Sequence, residues 1–278
     1  QPRADGGDLV LRLRPSHIDR ITLFEPDPRQ AGHWTRRVTG ERTPWAEREQ
    51  ASAAYGFVVR PLVPTTYYLR LDNSRSSILQ VQALAPTDAR RADVLLGWAQ
   101  WAFLSVMACI LAWSLFEFAQ HREAVVAWFT LAQAAYLLYG MAITGQFAPL
   151  LPTAGYLAEL TVALVCVAEL GALAFHRQFL GLFDPPGWMR RVLDALILTS
   201  ACAMLLCLAG QPLRGLWLNG VVALSAGPVF FLLALRSRRD APPGLRTLRL
   251  LYGLLMASLL ITFAPLLGLL PASPWNLQ

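Results

Sequence analysis

Between residues 94 and 270 the chain carries six long apolar runs separated by short polar breaks. They fall at 94–116, 124–144, 156–175, 192–209, 213–235 and 248–270, and the first holds no charged residue at all. A hydrocarbon core about 30 Å thick takes roughly 20 helical residues at 1.5 Å each, so every run is close to a bilayer-crossing length. A soluble amphipathic helix would show polar residues every three or four positions, and these runs do not. The pattern constrains the chain to a polytopic helical membrane bundle.

Composition supports this where the argument needs it. Only 15% of the residues are charged, against roughly 25% in soluble domains. The net charge of +6 rests on arginine, because the chain has no lysine. Cys109, Cys166, Cys202 and Cys207 all lie inside apolar runs, where a thiol behaves as a small hydrophobe rather than a disulfide partner.

The first 90 residues are a different material. Residues 8–14 (DLVLRLR) set Leu9, Leu11 and Leu13 on one face, the period-2 pattern of a half-buried strand. Residues 18–24 read as a second strand that returns after Pro15-Ser16 and is stopped by Pro26 and Pro28. Similar alternation at 33–38, 55–60, 66–71 and 77–83, punctuated by Gly40, Pro44, Pro61, Pro64 and Asp72-Asn73, completes six short strands. That predicts an antiparallel sandwich or jelly-roll fragment. Six strands make a thin sandwich, so a partner sheet is expected upstream and the sequence is expected to be a fragment.

The predicted organisation is a β-sandwich over 1–86, a linker over 87–93, the helical bundle over 94–270 and an outer loop or tail over 271–278. Asp88 and Asp93 suit the positive N-terminal end of the first helix, and Trp98 and Trp101 suit an interfacial belt. With the β-domain outside, the inner breaks hold Arg122, Arg177, Arg190, Arg191, Arg236, Arg238, Arg239, Arg246 and Arg249. The outer breaks hold Arg214, so the ratio is nine to one. This positive-inside bias predicts an extracytoplasmic β-domain. Arg90-Arg91 is the exception, with Asp88 and Asp93 flanking it.

Glu169 sits near the middle of the third run, where a carboxylate costs about 2.5–3.5 kcal/mol on insertion scales, which makes it the intramembrane functional candidate. Glu159, ten residues earlier, reads as an interfacial group. His176 lies about two turns beyond Glu169, too far for direct contact, and beside Arg177 it reads as an inner-interface residue. His176, Arg177, Arg236, Arg238 and Arg239 are candidates for a cytoplasmic relay or for contact with anionic lipid. Asp194 suits the start of the fourth helix. Gln133, Asn219, Ser225 and Ser258 read as interhelical hydrogen-bonding residues.

In the β-domain Trp34, Trp45, Tyr55, Tyr67 and Tyr68 are the stacking candidates for a sugar ring. Trp45, after Pro44 in a polar segment, is expected to be the best exposed. Tyr67 and Tyr68 point to opposite faces of a strand, so at most one is buried against a single sheet. His17 and His33 have no metal-ligand companion at useful spacing. The chain contains no G-x-S-x-G, H-E-x-x-H, Walker loop or G-x-G-x-x-G.

Several stretches together resemble the bacterial seven-transmembrane receptors with diverse intracellular signalling modules. Ile18-Asp19-Arg20-Ile21-Thr22-Leu23-Phe24 is similar to that family's I/L-D-x-V/I-x-L-Y/F strand, and Gly40, Pro44 and Arg48 follow in the family's order. Thr66-Tyr67-Tyr68-Leu69-Arg70-Leu71 is similar to the strand that precedes the first helix. Phe175-His176-Arg177-Gln178-Phe179-Leu180 is similar to the exit of the third helix.

The resemblance implies a periplasmic jelly-roll like those of carbohydrate-binding modules, seven helices and a cytoplasmic output domain. The front of the jelly roll, the seventh helix and the output module would lie outside this sequence. It implies a receptor of the bacterial inner membrane that senses a carbohydrate-like ligand or a partner through Trp34, Trp45, Arg48 and Tyr68. No catalytic residue, cofactor or metal is expected. The expected partners are membrane lipid, the outer ligand, and a second copy of the chain or a signalling protein, with no nucleic acid. The alternative is a transporter or channel subunit with a polar site near Glu169, although no internal repeat supports it. An intramembrane enzyme built on Glu169 and His176 is a third reading.

Overall fold

A computed structural model describes residues 7–14, 18–27, 32–50, 52, 54–61, 63–72, 79–150, 157–183, 185–236 and 245–263. The chain divides into two compact units, Gln1–Met107 with Leu138–Thr161, and Ala108–Leu137 with Val162–Gln278.

The first unit contains the β-domain. Its strands are β1 (Leu9–Arg14), β2 (Arg20–Pro26), β3 (Trp34–Thr39), β4 (Tyr55–Val59), β5 (Tyr68–Asp72) and β6 (Gln80–Leu84). They form two three-stranded antiparallel sheets in the orders β4-β1-β6 and β3-β2-β5. Consecutive strands β1 and β2 therefore do not pair, because the chain crosses from the centre of one sheet to the centre of the other. Two sheets therefore face each other within these residues. Leu13, Ile18, Ile21, Leu23, Tyr55, Phe57 and Val59 form the shared core, with Leu9, Leu11, Tyr67, Leu69 and Leu71 packed against it.

Strand β1 departs from the half-buried expectation. Leu9, Leu11 and Leu13 face the core, yet Val10 and Arg12 on the other face are also buried. Gly40 shapes the loop after β3. Its φ is +139°, and a Cβ there would lie 2.6 Å from the Asp19 carbonyl oxygen and 2.8 Å from Arg20 Cα. Only glycine fits so close an approach. The loop is tied to the start of β2 by Glu41 N–H donating to Ile18 O at 2.8 Å and Arg42 N–H to Asp19 O at 3.1 Å.

The helices are α1 (Pro86–His121), α2 (Ala124–Ile143), α3 (Leu157–Gly181), α4 (Gly187–Leu208), α5 (Pro212–Arg236) and α6 (Leu245–Phe263). Five of them, α1 to α5, are long and apolar enough to cross a membrane. The sixth run was expected to span 248–270, and its part beyond residue 263 lies outside the described residues, as do 271–278. Helix α1 starts at Pro86, so residues 87–93 are its first turns rather than a linker. Proline is favoured at a first helical position and Asp88 suits the first turn. Among the described residues α1 is mostly exposed, as a lipid-facing helix is, with Trp98 and Trp101 on its surface.

In the second unit Leu173, Leu180, Met189, Leu193, Val222, Phe230 and Tyr252 are among the residues that bury the bundle core. Helices α2 and α3 approach closely where Gly171 meets Ala132. A Cβ on Gly171 would lie 3.1 Å from Ala132 Cα, the kind of small-residue contact that membrane helices use.

Candidate functional sites

The outer face of sheet β3-β2-β5 is the first. Alternation along the strands and the register place Trp34, Arg36, Phe24, Arg20, Tyr68 and Arg70 on the face opposite the core. Trp34 and Tyr68 are 45% and 58% exposed, and their rings meet edge to face with centroids 5.2 Å apart. Such pairing holds two rings in one orientation, at 67° to each other, and leaves an angled apolar platform. Arg36 and Arg70 are exposed beside it, and Arg70 Nε donates to Asp72 Oδ1 at 3.3 Å. Tyr67, one residue away, packs into the core, so alternation separates the two tyrosines as their spacing predicts.

Trp45 and Arg48 do not join this platform. Trp45 is only partly exposed, contrary to its expected place as the best exposed ring. The Arg48 guanidinium lies over both Trp45, at 5.3 Å, and Tyr55, at 5.1 Å, and its Nε donates to Thr43 O at 3.1 Å. The pair staples the segment between β3 and β4. His17, Arg238 and Arg239 lie outside the described residues.

Arg37, which sequence reasoning missed, holds the open edge between the sheets. Its Nη1 donates to Glu25 Oε2 at 3.0 Å and its Nη2 to Val58 O at 2.9 Å, with Glu49 as a further partner. Hydrogen bonds and charge from Glu49 and Glu25 outweigh burial and raise the pKa of this guanidinium. The signal was present only as an odd position in a strand whose neighbours read as solvated.

The second feature joins sheet to helix. Strand β6 runs into α1 with Ala85 as the sole residue between them, and β6 pairs with β1. Arg12, at the middle of β1, donates from Nε to Asp93 Oδ1 of α1 at 2.6 Å. Arg12 Nη1 reaches Gln82 Oε1 at a long 3.5 Å, and its Nη2 is buried with no partner. Burial first, and repulsion from Arg12 second, lower the pKa of Arg14. Since Asp93 is committed to Arg12, it does not serve Arg90-Arg91 as the flanking-charge reading supposed.

The third feature is a cavity of about 590 Å³ between α2, α3, α5 and α6. Glu169, Gln133, His176 and Tyr252 supply its polar wall, and Phe129 and Phe230 are among its rings. His176 Nδ1 and Tyr252 Oη lie 2.8 Å apart in a hydrogen bond whose direction follows the imidazole tautomer. The imidazole also packs on Phe230, at 4.3 Å between centroids. His176 therefore points into the bundle, whereas its neighbour Arg177 is exposed and pairs with Asp194. The interfacial reading of His176 fails because a helix turns 100° per residue, sending adjacent side chains to different surroundings.

The other intramembrane polar groups divide. Ser200 Oγ and Asn219 Oδ1 link α4 to α5 at 3.5 Å. Ser225 and Ser258 instead donate to carbonyls of their own helices, Val221 O and Leu255 O, and Gln133 Oε1 is buried without a partner. Cys166 and Cys207 place their sulfurs 4.0 Å apart, and all four cysteines are free thiols. Arg236 lies over Trp188 at 5.9 Å, and Arg249 Nε donates to Ala234 O at 2.9 Å, capping the end of α5. Among the described residues no group of three or more His, Cys, Asp or Glu comes together.

A β-sandwich followed by apolar helices of membrane-crossing length defines a membrane protein with a separate β-domain. Comparison with protein families makes this specific. The family described as 7TM diverse intracellular signalling matches residues 97–278, and the one described as 7TMR-DISM extracellular 2 matches residues 1–84. The chain belongs to the seven-transmembrane receptors with diverse intracellular signalling modules, and its N-terminal domain is extracellular. Comparisons with curated proteins and with solved structures found no match.

Proposed function

We propose that this receptor senses an acidic carbohydrate on the outer face of sheet β3-β2-β5 and relays its binding through α1 into the bundle, without catalysing a reaction itself. Trp34 and Tyr68 offer the stacking surface for a sugar ring, and three arginines on the same face supply bidentate donors for a carboxylate. The relay runs from sheet to helix. The observation that carries it is the junction at Arg12 and Asp93, where a buried ion pair and a one-residue link fasten α1 to the strands. A ligand that favours one arrangement of the sandwich then biases the orientation of α1, and the bundle shifts in population to match. The receptor sits in the bacterial inner membrane, its arginine-rich inner turns face the cytoplasm, and an output module lies beyond the bundle.

The test is calorimetric titration of the full chain in nanodiscs with trigalacturonate and with its neutral methyl ester. The acid should bind at least tenfold more tightly than the ester, and Trp34→Ala and Arg70→Gln should each weaken it by about tenfold. Equal affinity for acid and ester, or wild-type affinity in either variant, would overturn the reading.

A further inference from the structure

The bundle cavity holds a combination that nothing above has used. Glu169 takes no hydrogen bond or ion pair among the described residues, although it lies at the middle of α3. Among the described residues no arginine lines the cavity, and the chain has no lysine. The neighbouring Gln133 Oε1 is a second acceptor without a donor. An intramembrane carboxylate ordinarily finds a cationic or hydrogen-bonding companion on an adjacent helix. Here the cavity around it is lined by aromatic rings instead, among them Phe129, Phe175 and Phe230.

Two acceptors and a set of aromatic walls are complementary to one kind of guest. A carboxylate attracts a positive charge, and the negative faces of the rings do so again, as in the aromatic cages that recognise quaternary ammonium groups. Apart from the His176–Tyr252 pair, which is joined by its own hydrogen bond, and Tyr136, the remaining wall is apolar, with Ala172, Leu173 and Leu255, which suits a hydrocarbon or aryl tail. About 590 Å³ falls in the range of roughly 300–1,000 Å³ of small-molecule sites. We propose that the cavity between α2, α3, α5 and α6 is a binding site for a lipophilic organic cation, an ammonium head held by Glu169 and Gln133 with its tail among the rings. This second site stands independently of the sugar-binding reading of the β-domain.

The experiment uses the full chain in phosphatidylcholine nanodiscs, whose net-neutral lipid limits adsorption of charge. Tritiated benzyltrimethylammonium is the probe, and its neutral carbon counterpart neopentylbenzene is the competitor. Saturable binding is expected, with the neutral compound at least tenfold weaker as a displacer. Glu169→Gln should weaken the probe at least tenfold. Ala172→Trp, which fills the cavity and keeps the carboxylate, should abolish binding in protein whose thermal transition is retained. If Glu169→Gln does not fold, Glu169→Asp and Ala172→Trp carry the test, with weakened and abolished binding expected in turn. Absence of saturable binding, equal displacement by neopentylbenzene, or wild-type binding in any of these variants would overturn the proposal.

Discussion

Replacing Asp93 with alanine would leave the Arg12 guanidinium buried and alone. Exposed ion pairs contribute about 0–1 kcal/mol, whereas removing one partner of a buried pair costs about 3–5 kcal/mol. The Arg12 side chain is 4% exposed and that of Asp93 18%, which places the junction near the lower end of the buried range. The surroundings cannot compensate, because Gln82 is 3.5 Å away and Nη2 already lacks a partner. We therefore expect a loss of about 3 kcal/mol, or roughly a 150-fold rise in the opening equilibrium of β1. Amide hydrogen exchange at Leu11 and Leu13, read by mass spectrometry on protein in nanodiscs, measures that opening. The double variant Arg12→Met with Asp93→Leu removes both charges and should recover stability to within about 1 kcal/mol of wild type. A change of less than threefold in Asp93→Ala, or a double variant as labile as the single one, would refute the reasoning.

Gly40→Ala should destabilise the sandwich by about 2–3 kcal/mol, since the left-handed backbone alone costs about 1–3 and the Cβ meets the Asp19 carbonyl at 2.6 Å. A melt of the full chain should show it as a lower Tm for the β-domain. Arg37→Ala should raise proteolytic cleavage at β3, with a loss of about 1–2 kcal/mol from its charge-assisted bonds, while Arg36→Ala should leave cleavage unchanged. The Asp8 carboxylate is held below the ordinary aspartate range chiefly by its hydrogen bond from Arg60. Because its folded pKa is lowered, the contribution is complete above the unfolded value near 3.8 and disappears as pH falls through the folded one. NMR titration should find the Asp8 midpoint below that of a model aspartate, and Arg60→Gln should return it upward.

How far the sequence carried these conclusions depends on the range of the interaction concerned. The apolar runs and the period-2 strands are properties of consecutive residues, and they foretold all six strands to within a few positions and the apolar body of α1 to α5, although α1 begins earlier, at Pro86. Strand pairing is not local. Nothing in residues 8–24 says whether β1 and β2 pair or cross to different sheets, because both arrangements bury the same leucines and isoleucines. Arg12 was equally opaque, since an arginine in an alternating strand reads as solvated until the partner that covers it is known. Trp34 and Tyr68 were nominated from residue type, but their meeting depends on the strand order around β2. His176 shows the same limit, since its position in the sequence places it at the inner end of a helix but not the direction in which its side chain points. The facing surfaces of α5 and α6 decide that, through Phe230 and Tyr252.

The two proposed ligands place opposite demands on the chain, and this bears on how a signal would travel. The outer face gathers arginines where water can still solvate them, so its selectivity is screened by salt over a Debye length of about 8 Å at physiological ionic strength. Glu169 lies among hydrocarbon and rings, where screening is weak and a single charge acts strongly. Helix α1 has residues in both units, and under the proposed relay it is the element through which the two occupants would be coupled. Coupling of this kind is reciprocal. If the outer anion strengthens cation binding by some factor, the cation must strengthen anion binding by the same factor. Raising salt would weaken the anion's intrinsic affinity at the solvated face. The coupling factor would hold, because it is set by the two packings of the bundle rather than by the strength of either contact.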